Sequence, residues 1–86
     1  MPEISRFFGI IITIYWKDHG IPHFHAKYQE HRAVFAIADG RLLEGFLPAR
    51  ALGMVSEWTA AHREDLQKDW DLAKAQQPLF PIPPLE

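Results

Sequence analysis

The chain contains no cysteine, and this absence excludes several kinds of chemistry. Without thiols there are no disulfides, no thiolate metal ligands and no cysteine nucleophile. The sequence also lacks a glycine-rich phosphate loop, a serine nucleophile elbow and zinc-finger spacing. Histidine acid–base or metal chemistry is therefore the main enzymatic route that we expect.

An excess of positive charge is also missing. Nine Lys/Arg face eleven Asp/Glu, which gives a net charge of −2 and argues against a strongly basic nucleic-acid-binding domain. The charge is uneven, because residues 1–50 hold six Lys/Arg against five Asp/Glu and four of the five histidines. Residues 51–86 hold three against six. An anionic ligand is expected to meet the first half of the chain.

Long hydrophobic runs are lacking as well. The longest apolar stretch, residues 7–16, is well short of the roughly 20 residues that a membrane-spanning helix needs. No basic segment and small-residue cleavage site frame it as a signal peptide. These features predict a soluble protein in the cytoplasm, with no membrane association.

The 86 residues suffice for one small domain, and 48% of them are hydrophobic. Segments rich in β-branched and aromatic residues predict four strands, at 7–16, 23–29, 32–38 and 41–46. Short turns, including Asp39-Gly40, join them into an antiparallel meander. On the first strand the even positions form the expected core face: Phe8, Ile10, Ile12, Ile14 and Trp16.

Residues 48–76 carry apolar side chains at helical spacing and contain no internal proline. A straight helix of that length would extend for about 43 Å, too long for so small a globule. We expect one long helix, continuous or kinked near His62, packed on one face of the sheet, with His62 as a hydrogen-bonded core histidine. The predicted fold is α+β, with a single domain over 1–76 and an extended proline-rich arm over 77–86. Leu79, Phe80, Ile82 and Leu85 are expected to hold the arm to the domain.

Three histidines stand close together in the segment Asp18-His19-Gly20-Ile21-Pro22-His23-Phe24-His25. Residues two apart on a strand share one face, so the side chains of His23 and His25 should point the same way, opposite Phe24. Such a pair could hold a metal ion with a third ligand from the loop, where Asp18 and His19 lie.

The same pair could act without a metal. One imidazole would take a proton and the other would give one, since histidine titrates near neutral pH. Lys27 lies on the same face as the histidines, and Lys27 or Arg6 would stabilise a phosphate. The residues also allow a third interpretation, in which the pair is merely solvated. Candidate catalytic residues are therefore His23, His25, His19 and Lys27, and candidate metal ligands are His19, His23, His25 and Asp18, with a divalent metal such as zinc.

A set of segments spread over nearly the whole chain forms a further pattern: residues 1–9, 18–26, 43–45, 47–48, 57–58, 62–63, 69–70 and 82–85. In these segments the sequence resembles the small bacterial proteins of the domain of unknown function 4160 family. Members of the family are commonly encoded beside another small protein and are suspected toxin–antitoxin components. The resemblance implies a role for Asp18, His19, His23 and His25, without naming the chemistry.

Two classes of function follow from these observations. One is a toxin-like ribonuclease that depends on His23 and His25, with or without a metal. The other is a non-catalytic binding module, such as an antitoxin partner or a transcriptional regulator. The partner expected is a second copy of the chain or a small protein that covers Trp70 at the far end of the long helix, and RNA is the candidate nucleic acid.

Overall fold

A five-stranded antiparallel sheet followed by two helices makes up the structure, a computed structural model that describes residues 3–86. The strands lie side by side in chain order. Their bounds are β1 Glu3–Phe7, β2 Ile10–Thr13, β3 His23–Tyr28, β4 His31–Ala36 and β5 Leu42–Gly45, and those of the helices are α1 Ala49–Ala61 and α2 Arg63–Lys74. The predicted α+β class and antiparallel order of the sheet are confirmed. Met1 and Pro2, which begin the family-like motif and the expected domain, lie outside the described residues.

The prediction of four strands is wrong, because the first predicted strand is a hairpin. Phe8 and Gly9 form a two-residue turn with φ of 49° and 81°, and Phe7 pairs with Ile10 across it. Positive φ at both central positions is typical of the turns that join tight hairpins. Phe8 is consequently exposed, as is Trp16 beyond the end of β2, although both were expected on the core face.

The core lies between the helices and the sheet face that carries Ile10, Ile12 and Ile14. Ile10, Ile12 and Ile14 are fully buried. The indole of Trp58 on α1 packs against the rings of Phe7 and Phe24, at centroid distances of 5.3 and 5.9 Å. The odd positions of β3 lie on the opposite face of the sheet and are partly or fully exposed.

The prediction of a single long helix is also wrong in detail, since the first helix ends at Ala61 and a second helix begins at Arg63. His62, with φ −125° and ψ 26°, leaves the helical region, and Glu64 and Asp65 lie in the first turn of α2, where acidic side chains favour a helix N-terminus. The longest dimension of the molecule is 34 Å, so a straight 43 Å helix would not fit. His62 is only partly buried, with its ring beside Trp58, and is not a hydrogen-bonded core residue.

The last ten residues pack along the domain. Ile82 is buried, and its main-chain N–H donates to the Ile4 carbonyl at 2.8 Å. The Trp58 Nε1–H donates to the Pro83 carbonyl at 2.9 Å. Leu79, Phe80 and Leu85 contact the core as well. The segment therefore contributes to the core rather than extending away from it.

One carboxylate is enclosed where this segment crosses α2. Asp69 is fully buried, its Oδ1 accepts the Phe80 main-chain N–H at 3.0 Å, and its Oδ2 has no hydrogen-bond partner within the described chain. Burial raises the pKa of Asp69 to about 6, and the negative charge of Asp65 adds to the rise, against the lowering effect of the Phe80 hydrogen bond. Over residues 3–86, neither helix has the length and apolar character needed to cross a membrane.

Candidate metal centre

The connection between β2 and β3 brings the first candidate ligand to the histidines. The chain turns at Trp16 and Lys17, and the Asp18 N–H donates to the Tyr15 carbonyl. This turn directs the chain back toward the start of β3, where His23 and His25 project from one face. Phe24 between them is buried on the other face, which confirms the alternation expected from the sequence.

Both imidazoles approach the same oxygen of Asp18. The Nε2 atom of His25 lies 2.9 Å from Asp18 Oδ2, and the Nε2 atom of His23 lies 3.2 Å from it. The three candidate ligand atoms all lie within 4.8 Å of one another. Asp18, His23 and His25 are partly exposed, so that solvent can reach the cluster.

The orientation of His23 decides which of its nitrogens carries the proton. Its Nδ1 lies 2.8 Å from the main-chain carbonyl of Ile21, which can only accept a hydrogen bond, so Nδ1 is the donor. In a neutral ring the Nε2 atom then carries a lone pair, and that lone pair faces the negatively charged Oδ2 of Asp18. Two acceptors facing each other need a proton or a cation between them.

A metal ion meets this requirement with the ligand types at hand. Tetrahedral zinc has bonds of about 2.0–2.1 Å to imidazole nitrogen and carboxylate oxygen, which places neighbouring ligand atoms about 3.3 Å apart. The separation of 3.2 Å between His23 and Asp18 is close to that value. The Ile21 carbonyl would fix the ring of His23, as hydrogen bonds to metal-binding histidines commonly do. Three protein ligands would leave one position open for water or substrate.

Helix α2 covers one side of the cluster. Trp70 on α2 lies against His23 with ring centroids 5.0 Å apart, and it is buried within its own chain. Lys74 Nζ donates to the Asp18 carbonyl at 3.3 Å and lies 5.5 Å from the Trp70 ring. Trp70 is thus buried without a partner chain, and the expectation of a second copy or a small protein partner stays a prediction.

The other sequence candidates lie outside the cluster. His19 is exposed and is not among the three clustered residues of the described chain. Lys27 is exposed two positions beyond His25 on the same face of β3. Arg6 is engaged by Glu3, with Nη2 and Oε1 2.8 Å apart, and the hydrogen bond from Arg6 lowers the pKa of the Glu3 carboxyl.

Sequence reasoning missed Trp70, Lys74 and Arg32 as neighbours of the site. Arg32 is the cross-strand partner of Lys27 in the hairpin formed by β3 and β4. A two-residue turn at Gln29-Glu30 fixes that register, so the hairpin was the sequence signal that could have placed Arg32 opposite Lys27. No sequence signal places α2 against the histidines, because the packing of a helix on a distant strand leaves no mark in the local residue spacing.

Comparison with known proteins identifies a family for most of the chain. Residues 9–71, which include every residue of the Asp18–His23–His25 cluster, match the family model described as domain of unknown function (DUF4160). Neither a curated protein nor a solved structure matches the chain. The match spans well over half of the 86 residues, and the chain belongs to the DUF4160 family.

Proposed function

We propose that the protein is a metal-assisted ribonuclease and the toxin component of a toxin–antitoxin pair. Asp18, His23 and His25 hold a divalent metal, for which zinc is the first candidate. The observation that carries the proposal is the convergence of both Nε2 atoms on Asp18 Oδ2, with the His23 lone pair directed there by the Ile21 carbonyl.

The same geometry disfavours a metal-free pair of histidines. A general base and a general acid must each reach a reacting proton. Here the Nδ1 atom of His23 is occupied by the Ile21 carbonyl and its Nε2 atom is directed at Asp18. His23 therefore has no nitrogen directed toward a substrate, whereas a metal ligand needs none.

Each residue of the site has a distinct task in this proposal. A divalent metal with an open position polarises a phosphoryl oxygen and supplies a bound water of lowered pKa. The Ile21 carbonyl holds the tautomer of His23, and the Trp70 ring excludes water from one side of it. Lys27, exposed beside His25, is placed to attract the phosphate of the substrate.

The test of the metal site compares ligand variants with a matched histidine variant. We expect metal-free wild-type protein to bind about one zinc ion per chain, measured by isothermal titration calorimetry. Asp18→Asn and His25→Ala should weaken binding by roughly tenfold to a hundredfold or more, by analogy with the loss from outer-shell changes alone. The control is His31→Gln, on β4 and outside the cluster. Wild-type protein that binds no divalent metal would refute the proposed site.

Activity is tested on the same set of proteins. RNA cleavage should disappear with a chelator, return when metal is added, and be absent in Asp18→Asn. Expression of the wild-type chain should arrest growth, and Asp18→Asn should relieve the arrest. Cleavage that survives both the chelator and the substitution would show that another mechanism, or a contaminating nuclease, is responsible.

A second candidate, a non-catalytic binding module, is favoured by the edge strand β5. All of its residues are exposed, and Leu42, Leu43 and the following Phe46 present apolar side chains. An edge strand with unpaired main-chain groups can accept an extended segment of a protein partner. A chain that binds such a partner, loses it in Leu43→Lys and never cleaves RNA in the presence of metal would favour this candidate.

A further inference from the structure

A shallow cavity adjoins the metal-ligand cluster on the sheet face that α1 does not cover. Its volume is about 360 Å³, and it is lined chiefly by Tyr15, His25, Lys27, Arg32, Val34 and Glu44. Sites for small ligands commonly have volumes of about 300–1,000 Å³, so the cavity has room for one nucleotide. Because His25 belongs to both, a ligand in the cavity would lie directly beside the cluster.

Two cations in this cavity have no side-chain partner among the described residues. Lys27 and Arg32 are opposite one another on β3 and β4, both are exposed, and neither forms an ion pair or side-chain hydrogen bond with any residue from 3 to 86. By contrast, Arg6 and Arg41 are paired with nearby carboxylates. Like charges placed directly opposite on a sheet are destabilising, and a bound anion would relieve the repulsion.

Glu44 makes the charge along the cavity uneven. It lies on β5 opposite Val34, which in turn lies opposite His25, so its carboxylate is separated from the metal ligands by one strand. A polyanion is repelled from the Glu44 side and attracted to the pair Lys27 and Arg32. The favoured path for a phosphate chain therefore runs from that pair toward His25.

We infer that the cavity is the substrate subsite of the proposed ribonuclease and binds one nucleotide of single-stranded RNA, with its phosphate between Lys27 and Arg32. An open sheet face with a few cations and a neighbouring aromatic ring, here Tyr15, suits an unpaired strand. A duplex would need a larger basic surface than a chain of net charge −2 provides. The inference rests on the proposed function.

Binding is measured without metal, so that the subsite is tested separately from catalysis. A short fluorescein-labelled oligouridylate is titrated with protein in EDTA at several salt concentrations, and anisotropy gives Kd. The Lys27→Ala/Arg32→Ala protein should bind roughly tenfold more weakly, and its dependence of log K on log salt should be less steep by about 0.7, the change expected when one phosphate contact on a single strand is lost. Glu44→Gln should bind more tightly than wild type.

Lys68→Ala is the control, because Lys68 is an exposed lysine on α2 that does not line this cavity. Circular dichroism verifies that each variant is folded. Unchanged Kd in the double variant, or equal affinity for a duplex of the same length, overturns the inference. If wild-type protein still binds metal and cleaves RNA, the proposed function stands despite that result. If metal binding is absent but the double variant loses RNA affinity, the subsite stands and the metal-assisted mechanism fails.

Discussion

Replacing Asp69 with asparagine should make the protein more stable at neutral pH. The wild-type carboxylate is fully buried, and only its Oδ1 atom has a hydrogen-bond donor, the Phe80 N–H. Asparagine has nearly the same shape and keeps an acceptor for that N–H, but it carries no charge. The substitution therefore removes the cost of burying an ionised group while retaining the bond that joins α2 to the C-terminal segment.

The size of the effect follows from the pKa of Asp69. Its value in the folded protein is about 6, against 3.8 for an unperturbed side chain. Between these values the folded chain holds more protons than the unfolded chain, so the free energy of unfolding falls as the pH rises. The difference of about 2 units between the folded and unfolded pKa values corresponds to about 3 kcal/mol of folding stability. This stabilisation is present below the unfolded pKa and is lost as the pH rises through about 6. Because the amide group of asparagine would replace an oxygen that has no hydrogen-bond partner among the described residues, part of this gain is lost, and we expect about 1–2 kcal/mol at about pH 7.5.

Urea unfolding followed by tryptophan fluorescence at several pH values between about 4 and 8 measures this difference. The stability advantage of Asp69→Asn should grow across that range, whereas Asp71→Asn, at an exposed position two residues further on, should show no such trend. If Asp69→Asn is less stable than wild type at about pH 7.5, with the same dependence on pH, then the carboxylate is not a buried charge in the folded protein.

Four further substitutions test the fold. Gly45→Ala should lower the free energy of unfolding by more than about 2 kcal/mol, because its φ is 86° and a Cβ would overlap the main-chain oxygen of Arg32 on β4. Gly53→Ala, with open space at an α1 position, should instead raise the free energy of unfolding by about 0.5–1 kcal/mol in the same urea experiment. Phe8→Asn should stabilise the first hairpin by about 1 kcal/mol, since asparagine tolerates the positive φ better, and an unchanged thermal midpoint would contradict this. Trp58→Phe should cost about 1–2 kcal/mol and speed proteolysis of the C-terminal segment, because the Pro83 carbonyl loses its donor; proteolysis at the wild-type rate would show that this bond does not hold the segment.

The sequence predicted the class of the fold better than its details. Alternation in β3 and the buried positions Ile10, Ile12 and Ile14 follow from a period of two, which the structure retains. The hairpin at Phe8-Gly9 was missed because phenylalanine rarely adopts a positive φ, and an apolar run hides a turn made from it. A kink near His62 was one of the two expected forms of the helix. The sequence did not decide between the kinked and the continuous form because His62 is neither glycine nor proline, although the acidic first turn of α2 was a visible start signal.

The site was foreseen where it is local in sequence and missed where it is not. Asp18, His23 and His25 are within eight positions of one another, and strand geometry alone puts the two histidines on one face. The outward position of His19 depends on the path of the loop, which includes Gly20 at φ 89°. Trp70 lies 47 positions after His23 in the sequence, and such a tertiary contact has no periodic signature.

The contact between α2 and the β2–β3 connection also sets the order in which the site is completed. Lys74, whose amino group binds the Asp18 carbonyl, is made 56 positions after Asp18. A chain emerging from the ribosome thus exposes both histidines and the carboxylate long before the segment that shields them exists. A product that stops within α1 would contain all three candidate ligands but not Trp70, which lies against His23 in the full chain. Premature termination would therefore yield a chain that has the candidate ligands but lacks the side chain that shields them.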